Sequence, residues 1–141
     1  MLSKNQARLF FFGGTVVFFL IFLALSADSL SSGIPEQTKA ANITDAVVRG
    51  KILFDENNCM GCHTILGEGA YYAPELTKVM DRRGEGYVKA VLISEQPWAL
   101  HGRKMVAYGM SDEEAADMIA FLNWIGEMDL NGFPPEPALN K

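Results

Sequence analysis

Two cysteines and a histidine fall within five residues of this chain, in the run Cys59-Met60-Gly61-Cys62-His63. The C-x-x-C-H spacing is the attachment signature of c-type haem. Two thiols at this spacing can add to the two vinyl groups on one edge of a porphyrin, and the adjacent imidazole then reaches the iron. The sequence therefore predicts one covalent haem c bound by Cys59 and Cys62, with His63 as an axial ligand.

Other uses of paired cysteines fit the sequence less well. A thioredoxin-like redox pair is expected on a βαβ frame, and the sequence shows no convincing strand. A structural zinc site needs four ligands, and His101 is the one further His or Cys in the chain, so that such a set would be atypical. A disulfide between cysteines this close would constrain little of the unfolded chain.

The iron needs a second axial ligand or an open site, and a His/Met pair gives the potential of an electron carrier. Met105 lies between Gly102 and Gly109, in a predicted flexible loop that could bring its thioether over the open haem face. We therefore predict Met105 as the second ligand. Met110 is the main alternative, and His101 is the third.

The second ring nitrogen of His63 also needs a partner that fixes the imidazole. Pro74 follows His63 by 11 residues, and its carbonyl group is the predicted acceptor. Arg103 and Lys104, beside the predicted ligand, could pair with haem propionates, although a solvated loop would account for them equally well.

An apolar stretch near the amino terminus, Leu9–Ala27, contains no charged residue. As a helix it would be about 28 Å long, close to the ~30 Å hydrocarbon core of a bilayer. A cleaved signal peptide is the alternative, because Ala24-Leu25-Ser26 resembles a cleavage site, but the stretch exceeds the usual signal core of about 7–15 residues. Lys4 and Arg8 precede it, so the positive-inside tendency places the amino terminus in the cytoplasm.

The chain is predicted to divide into three parts. Residues 1–27 form the cytoplasmic amino terminus and the membrane anchor, residues 28–41 a polar linker, and residues 42–141 a monohaem domain in the periplasm of a Gram-negative bacterium. After residue 27 the chain holds ten basic and seventeen acidic side chains, a net charge of −7. This charge disfavours nucleic acid, whose phosphates require cations. It favours a basic protein partner, although solubility alone would explain it as well.

Helical periodicity predicts helices over residues 45–56, 85–95 and 112–127. Thr44 is the predicted N-cap of the first, and a Ser111–Glu114 capping box begins the last. The apolar residues expected to face the core are Val47, Val48, Ile52 and Phe54 in the first helix, Val88, Val91 and Leu92 in the second, and Met118, Phe121, Leu122 and Ile125 in the third. No strand is predicted, so the expected fold class is all-α.

The residues around the haem motif resemble a specific family. The run Asn57–Leu76, which continues past the motif as His-Thr-Ile-Leu-Gly-Glu-Gly-Ala-Tyr, is similar to the small cytochrome c subunit of bacterial nitric oxide reductase. So are Val47–Lys51, Gly102–Met105 and Phe121–Trp124, and the resemblance covers essentially the whole chain. It implies a class I cytochrome c-like domain behind a single transmembrane helix.

The resemblance also implies a function. The chain would accept electrons from a soluble periplasmic donor, such as a cytochrome c or a cupredoxin. It would pass them to a large catalytic subunit with b-type haems and non-haem iron, which reduces NO to nitrous oxide, and would not be an enzyme alone. In the family the ligand methionine falls where Met105 lies and a leucine where Met110 lies, whereas Val106 replaces a frequent proline. A calcium ion between the subunits would lie near Gly69 and Tyr71.

Two other functions stay open at this point. An anchored cytochrome c could serve another respiratory complex, such as a terminal oxidase. A haem-based gas-binding module belongs to a different class of protein and would need a five-coordinate or readily opened iron.

Overall fold

A computed structural model describes residues 3–100 and 102–133 of the chain. The chain divides into two compact units, Met1–Gln37 and Thr38–Lys141. His101, the third candidate for the iron ligand, lies outside the described residues.

Helix α1 (Lys4–Asp28) makes up most of the first unit. A capping box begins it, in which Ser3 Oγ accepts from Gln6 N at 3.3 Å and Gln6 Oε1 accepts from Ser3 N at 2.9 Å. Its large apolar side chains are exposed, and the Thr15 hydroxyl donates to the Phe11 carbonyl at 2.8 Å. A helix with apolar residues all round and its polar groups bonded internally is suited to a lipid environment.

Helical backbone continues into the segment 28–41, where the sequence predicted a linker. A π-helical turn (Ser29–Gly33) leads from α1 into α2 (Ile34–Gln37). The ring of Pro35 would clash with a carbonyl four residues back in a regular α-helix, and π-helical turns are a known way to interrupt the regular helix at such a position. Among the described residues, this continuous helix is the one stretch that is long and apolar enough to cross a membrane.

The second unit contains the helices α3 (Asp45–Glu56), α4 (Val79–Arg83), α5 (Glu85–Leu92) and α6 (Asp112–Glu127). The predicted bounds of α3 and α6 are confirmed, together with the Thr44 cap and the Ser111–Glu114 capping box. The predicted helix over 85–95 was too long, because Ser94 begins a turn in which its hydroxyl donates to the Gln96 carbonyl at 2.8 Å. Helix α4 was not predicted, since five residues are too few for a periodic pattern.

Two short antiparallel hairpins correct the expectation that the domain has no strand. Strand β1 (Thr64–Ile65) pairs with β2 (Glu68–Gly69), and β3 (Trp98–Leu100) pairs with β4 (Arg103–Met105). The first hairpin turns through Leu66 and Gly67, both at positive φ, as two-residue hairpin turns require. Strands of two or three residues show no readable alternation. The helices form the packed framework, and the all-α class is confirmed.

Helices α3 and α6 cross at close range. A Cβ on Gly50 would lie 2.0 Å from the Asp117 carbonyl oxygen, so that glycine alone permits this approach. Arg49 donates two hydrogen bonds of 2.7 Å to the Asp117 carboxylate. The rings of Phe54 and Phe121 pack with their centroids 5.3 Å apart. This crossing fixes the end of α3, from which the haem motif follows.

The predicted core faces are confirmed in α6 and corrected in α3. Met118, Phe121, Leu122 and Ile125 of α6 are buried, as are Val88 and Leu92 of α5. In α3, by contrast, Val48 and Ile52 are exposed, at 47% and 50%. The buried stripe of α3 runs through Val47, Gly50 and Phe54. Because the glycine makes the central contact, this spacing of three and four residues turns Val48 and Ile52 outward.

Candidate haem-binding site

A cavity of about 610 Å³ lies in the second unit, within the size range of cofactor sites. The predicted site residues Cys59, Cys62, His63 and Met105 all line it. Most of the remaining lining is apolar and includes Phe54, Leu76, Val79, Val88, Val91 and Leu92. The structure therefore brings together, around one apolar space, groups that lie up to 46 positions apart in the sequence.

The two cysteines lie in and just after a 3-10 turn (Cys59–Gly61) that follows α3. Asn58 adopts φ +49°, a left-handed conformation that ends α3 and reverses the chain. Cys59 is buried and Cys62 is exposed, so one thiol lies inside the cavity wall and the other at its open edge. Burial raises the pKa of the Cys59 thiol to about 11, which keeps this thiol protonated at neutral pH.

The His63 ring is oriented by a single main-chain acceptor. Its Nδ1 lies 2.7 Å from the Pro74 carbonyl oxygen, so the predicted contact is confirmed. A carbonyl oxygen only accepts, so Nδ1 carries the proton and Nε2 keeps its lone pair. Burial lowers the pKa of His63, with a smaller opposing effect of the Pro74 carbonyl. The imidazole is therefore neutral, as a metal ligand must be.

Main-chain hydrogen bonds fasten the segment that follows His63. Ala70 N donates to the His63 carbonyl at 3.1 Å, and Leu76 N donates to the Thr64 carbonyl at 2.8 Å. Gly69 has φ +116°, and a Cβ there would lie 2.2 Å from the His63 carbonyl oxygen. The main chain at Gly69 therefore lies directly against the main chain of His63. A side chain at position 69 would prevent this close approach.

Met105 is the last residue of β4 and is half-buried. It pairs with Trp98 across the hairpin, so a hairpin carries it rather than the flexible loop that the sequence predicted. In the same strand, Arg103 donates to the Tyr72 carbonyl, and its guanidinium lies 5.4 Å from the centre of the Tyr72 ring. The hairpin is thereby joined to the loop after His63.

Met110 and Met118 line the same cavity. Both are buried, at 7% and 1% exposure, and belong to the hydrophobic core. Met110 is also fixed through its main chain, since its N–H donates to the Leu92 carbonyl at 3.1 Å. The structure thus places three thioethers around the cavity, and the choice of Met105 as ligand stays a prediction.

Several cations lie at the rim of the cavity, and the sequence analysis found only some of them. Arg103 and Lys104 were considered for haem propionates, whereas Arg82 and Arg83 were missed, yet all four line the cavity. The Arg83 guanidinium lies 5.4 Å from the centre of the Tyr87 ring, which lines it too. Two adjacent arginines shortly after a haem motif were the available signal.

These residues fit a c-type haem. Two thiols and an imidazole with a free Nε2 lie on one wall of the cavity, and thioether sulfur, the usual partner of histidine in electron carriers, lines it as well. The apolar lining suits the macrocycle, and the arginines suit its carboxylate groups. The donor set and the volume therefore agree with the cofactor that the sequence predicted.

Comparison with known proteins points in the same direction. The cytochrome c family model matches residues 47–126. The chain is 44% identical over 138 residues to the C subunit of nitric oxide reductase from Stutzerimonas stutzeri, with 94% of each chain covered. It is 41% identical to the same subunit from Halomonas halodenitrificans, with 97% of each chain covered. Identity to the one from Paracoccus denitrificans is 35%, over 98% of this chain and 97% of the relative.

Proposed function

Because the chain belongs to the family of nitric oxide reductase C subunits, we propose that it is the electron-transfer subunit of a nitric oxide reductase. It accepts electrons from a soluble periplasmic donor, a cytochrome c or a cupredoxin. It passes them to a large membrane subunit with b-type haems and non-haem iron, which reduces NO to nitrous oxide. The observation that carries the proposal is the single cavity lined by Cys59, Cys62, His63 and Met105.

The site residues have distinct roles in this proposal. When bound, one haem c supplies an iron that takes up and releases a single electron. Cys59 and Cys62 would hold the group covalently, and His63 Nε2 and the Met105 sulfur would bind its iron. With its Nδ1 bonded to Pro74, His63 presents Nε2 to the iron. An iron with two protein ligands would have no free position for NO, which fits a relay role for this chain and catalysis in the partner.

The position of the second thiol supports electron entry at the open edge of the cavity. Cys62 is exposed, and the neighbouring Met60 and Tyr72 are 36% and 50% exposed. A soluble donor can therefore approach this edge closely. The net charge of −7 after residue 27 would steer a donor with a basic contact surface toward the domain.

Helix α1 is the membrane anchor in this proposal. Lys4 and Arg8 precede the apolar stretch and keep the amino terminus in the cytoplasm. Residues 1–27 then form the cytoplasmic end and the span, and residues 42–141 form the periplasmic domain in the bacterial inner membrane complex. The helical residues 28–37 belong to the segment between these two parts.

The calcium ion near Gly69 and Tyr71 is proposed as a site shared between subunits. Tyr71 is 82% exposed, so its main chain and ring are accessible to a partner. Within the described residues, no three His, Cys, Asp or Glu side chains converge on a metal site. The catalytic subunit would therefore supply the carboxylate ligands that calcium prefers.

The test is purification of the intact chain together with its co-expressed partner. We expect a large membrane subunit with b-type haems and non-haem iron to co-purify, and the complex to reduce NO with a reduced soluble cytochrome c. The chain alone should be reduced by the same donor and should show a low-spin spectrum without NO turnover. A control complex with Cys59→Ser and Cys62→Ser should assemble without accepting electrons from the donor.

Other results would favour the remaining functions. A complex that consumes oxygen and leaves NO untouched would identify a terminal oxidase subunit. High-spin haem that is insensitive to Met105→Ala would identify a gas-binding module. NO turnover by the isolated chain would contradict the relay role.

A further inference from the structure

Glu75, the residue after Pro74, is held through both its side chain and its main chain. Its Oε1 accepts from Thr77 N at 2.8 Å and from the Thr77 hydroxyl. Its Oε2 lies 3.5 Å from Arg82 Nη1, and Arg82 Nη2 donates to the Glu75 carbonyl oxygen. One guanidinium therefore bonds the carboxylate and the carbonyl of the same residue.

The peptide group between Glu75 and Leu76 is fixed from two sides. Its oxygen accepts from Arg82, and its N–H donates to the Thr64 carbonyl at 2.8 Å. Because peptide groups are planar, two dihedral angles of Glu75 alone separate this fixed plane from the carbonyl group of the preceding residue. That carbonyl belongs to Pro74 and is the acceptor of the imidazole proton.

Thr77 supports the same arrangement from inside the domain. It is fully buried at 0% exposure, and its hydroxyl accepts from Leu66 N at 2.7 Å while donating to Glu75. Rotation of this hydroxyl would leave buried polar groups unpaired, which is costly. The Glu75 side chain, 22% exposed, is thus held between buried Thr77 and the Arg82 side chain, 39% exposed.

We propose that Glu75 and Arg82 form a positioning pair that holds the Pro74 carbonyl against His63 Nδ1 and so sets the midpoint potential of the bound haem. This inference rests on the proposed haem site. A firm hydrogen bond at Nδ1 makes the imidazole a more basic ligand, which stabilises the oxidised iron and lowers the midpoint potential. The planar fork of arginine is required because it reaches a carboxylate and a carbonyl at once, whereas lysine is a point charge on a flexible stem.

The test compares Arg82→Lys with Arg49→Lys in the full-length, haem-loaded chain. Both changes preserve charge and replace a guanidinium that bonds a carboxylate, but Arg82 lines the cavity, whereas Arg49 bonds Asp117 at the α3–α6 crossing. Arg82→Lys should raise the midpoint potential in a redox titration. It should also speed exchange of the His63 Nδ1 proton, followed by NMR of the reduced protein, by at least about tenfold. Arg49→Lys should leave both quantities unchanged.

Glu75→Gln is the second test variant, since its amide oxygen can still accept from Thr77 while the ion pair with Arg82 is lost. It should raise the midpoint potential and speed exchange of the His63 Nδ1 proton, as Arg82→Lys should. If Arg82→Lys does not accumulate, this variant serves as the test. Equal shifts in both lysine variants, or unchanged exchange and potential in Arg82→Lys and Glu75→Gln, would overturn the role of the pair while leaving the haem in place. A wild-type chain without covalent haem would instead overturn the proposed function, and this inference with it.

Discussion

The two walls of the cavity are held in different ways. The histidine wall (residues 59–77) follows α3, which packs against α6 at Gly50, and its His63 is 9% exposed with a fixed ring. The methionine wall (residues 98–100 and 102–110) contains a hairpin of three-residue strands, and Val106, just after the hairpin, is 63% exposed. Few buried apolar contacts and short exposed ladders lower the free energy of local opening. We therefore expect the methionine wall to open more easily than the histidine wall.

This difference separates two requirements of an electron carrier. In the proposed site, the histidine wall would keep the cofactor in place through covalent bonds and an oriented imidazole. In the proposed site, the methionine wall would supply the ligand that raises the potential into the working range of electron carriers. Changes in the first should remove the cofactor, whereas changes in the second should leave it bound and alter its spectrum and potential.

The largest effect is expected from replacing both thiols of the histidine wall. A Cys59→Ser/Cys62→Ser chain should retain no haem after denaturation, because no thioether can form, which a haem-stained denaturing gel would reveal. The matched control is Met60→Ala, because Met60 lies between the two thiols and is 36% exposed. This variant should retain full staining. Persistent staining of the double variant would contradict the covalent assignment.

Loss of the thioether from the methionine wall should have the next largest effect. Met105→Ala should keep covalent haem but lose the low-spin His/Met spectrum, and its midpoint potential should fall on the order of 100 mV, since axial ligands tune haem over about 0.8 V. Met110→Ala should keep the spectrum and lower the free energy of unfolding by about 2–5 kcal/mol, as a buried core truncation does. The reverse pattern in absorption spectra and redox titrations would make Met110 the ligand.

A methyl group at the α3–α6 crossing tests the support of the histidine wall. Gly50→Ala should lower the free energy of unfolding by about 1–3 kcal/mol or more, because its Cβ would lie 2.0 Å from a main-chain oxygen. The control is Gly86→Ala in α5, where a Cβ meets nothing within 4 Å, and helix propensity predicts a gain of about 0.5–1 kcal/mol. Denaturant unfolding followed by circular dichroism measures the free energy of unfolding of both variants. Equal stabilities would mean that the close contact at Gly50 does not support the histidine wall.

The smallest effect concerns acid stability near each wall. A hydrogen bond from Arg49 lowers the pKa of Asp117, and a hydrogen bond and the charge of Lys89 lower the pKa of Asp112. A lowered folded-state pKa adds stability above the unfolded pKa, which is lost as pH falls through the folded value. Melting temperatures from about pH 6 to about pH 3 should therefore fall less steeply in Asp117→Asn than in wild type.

Asp112→Asn is the control for the acid series. The Asp112 side chain is 82% exposed, against 15% for Asp117, so solvent screens its ion pair more strongly. The pH dependence of its melting temperature should therefore differ less from that of the wild type than the pH dependence of Asp117→Asn does. A larger change in Asp112→Asn would mean that the α5–α6 contact, near the methionine wall, carries more of the acid sensitivity.

The sequence predicted the parts of the molecule that depend on local order. Helix α6 was found with its bounds because its apolar residues recur at helical spacing and Ser111 and Glu114 cap it. The thiols and His63 were predicted from the fixed spacing that thioether chemistry demands, and all three line the cavity. The Pro74 acceptor was found because the histidine needs one, and the structure contains that bond.

The missed features depend on contacts that form only when the chain folds. Nothing local marks Arg82 as a partner of Glu75, because the contact forms only when α4 folds back on the loop after His63. Val48 was expected inside because apolar residues are normally buried, but Gly50 takes the central contact. The strand that carries Met105 has three residues, too few for a pattern. Tertiary packing decided each of these positions.

The length of the first helix has a consequence for the membrane. Helical backbone runs for 34 residues from Lys4 to Gln37, about 51 Å at ~1.5 Å per residue, whereas a whole bilayer with its headgroups is ~40–45 Å thick. With Leu9–Ala27 across the hydrocarbon, the ten residues that follow would rise about 15 Å, through a headgroup layer of roughly 5–7 Å and into water. The π-helical turn before Pro35 then lies where water can bond any freed carbonyl. The number of helical residues after Ala27 thus sets how far above the lipid this helix extends before it ends at Gln37.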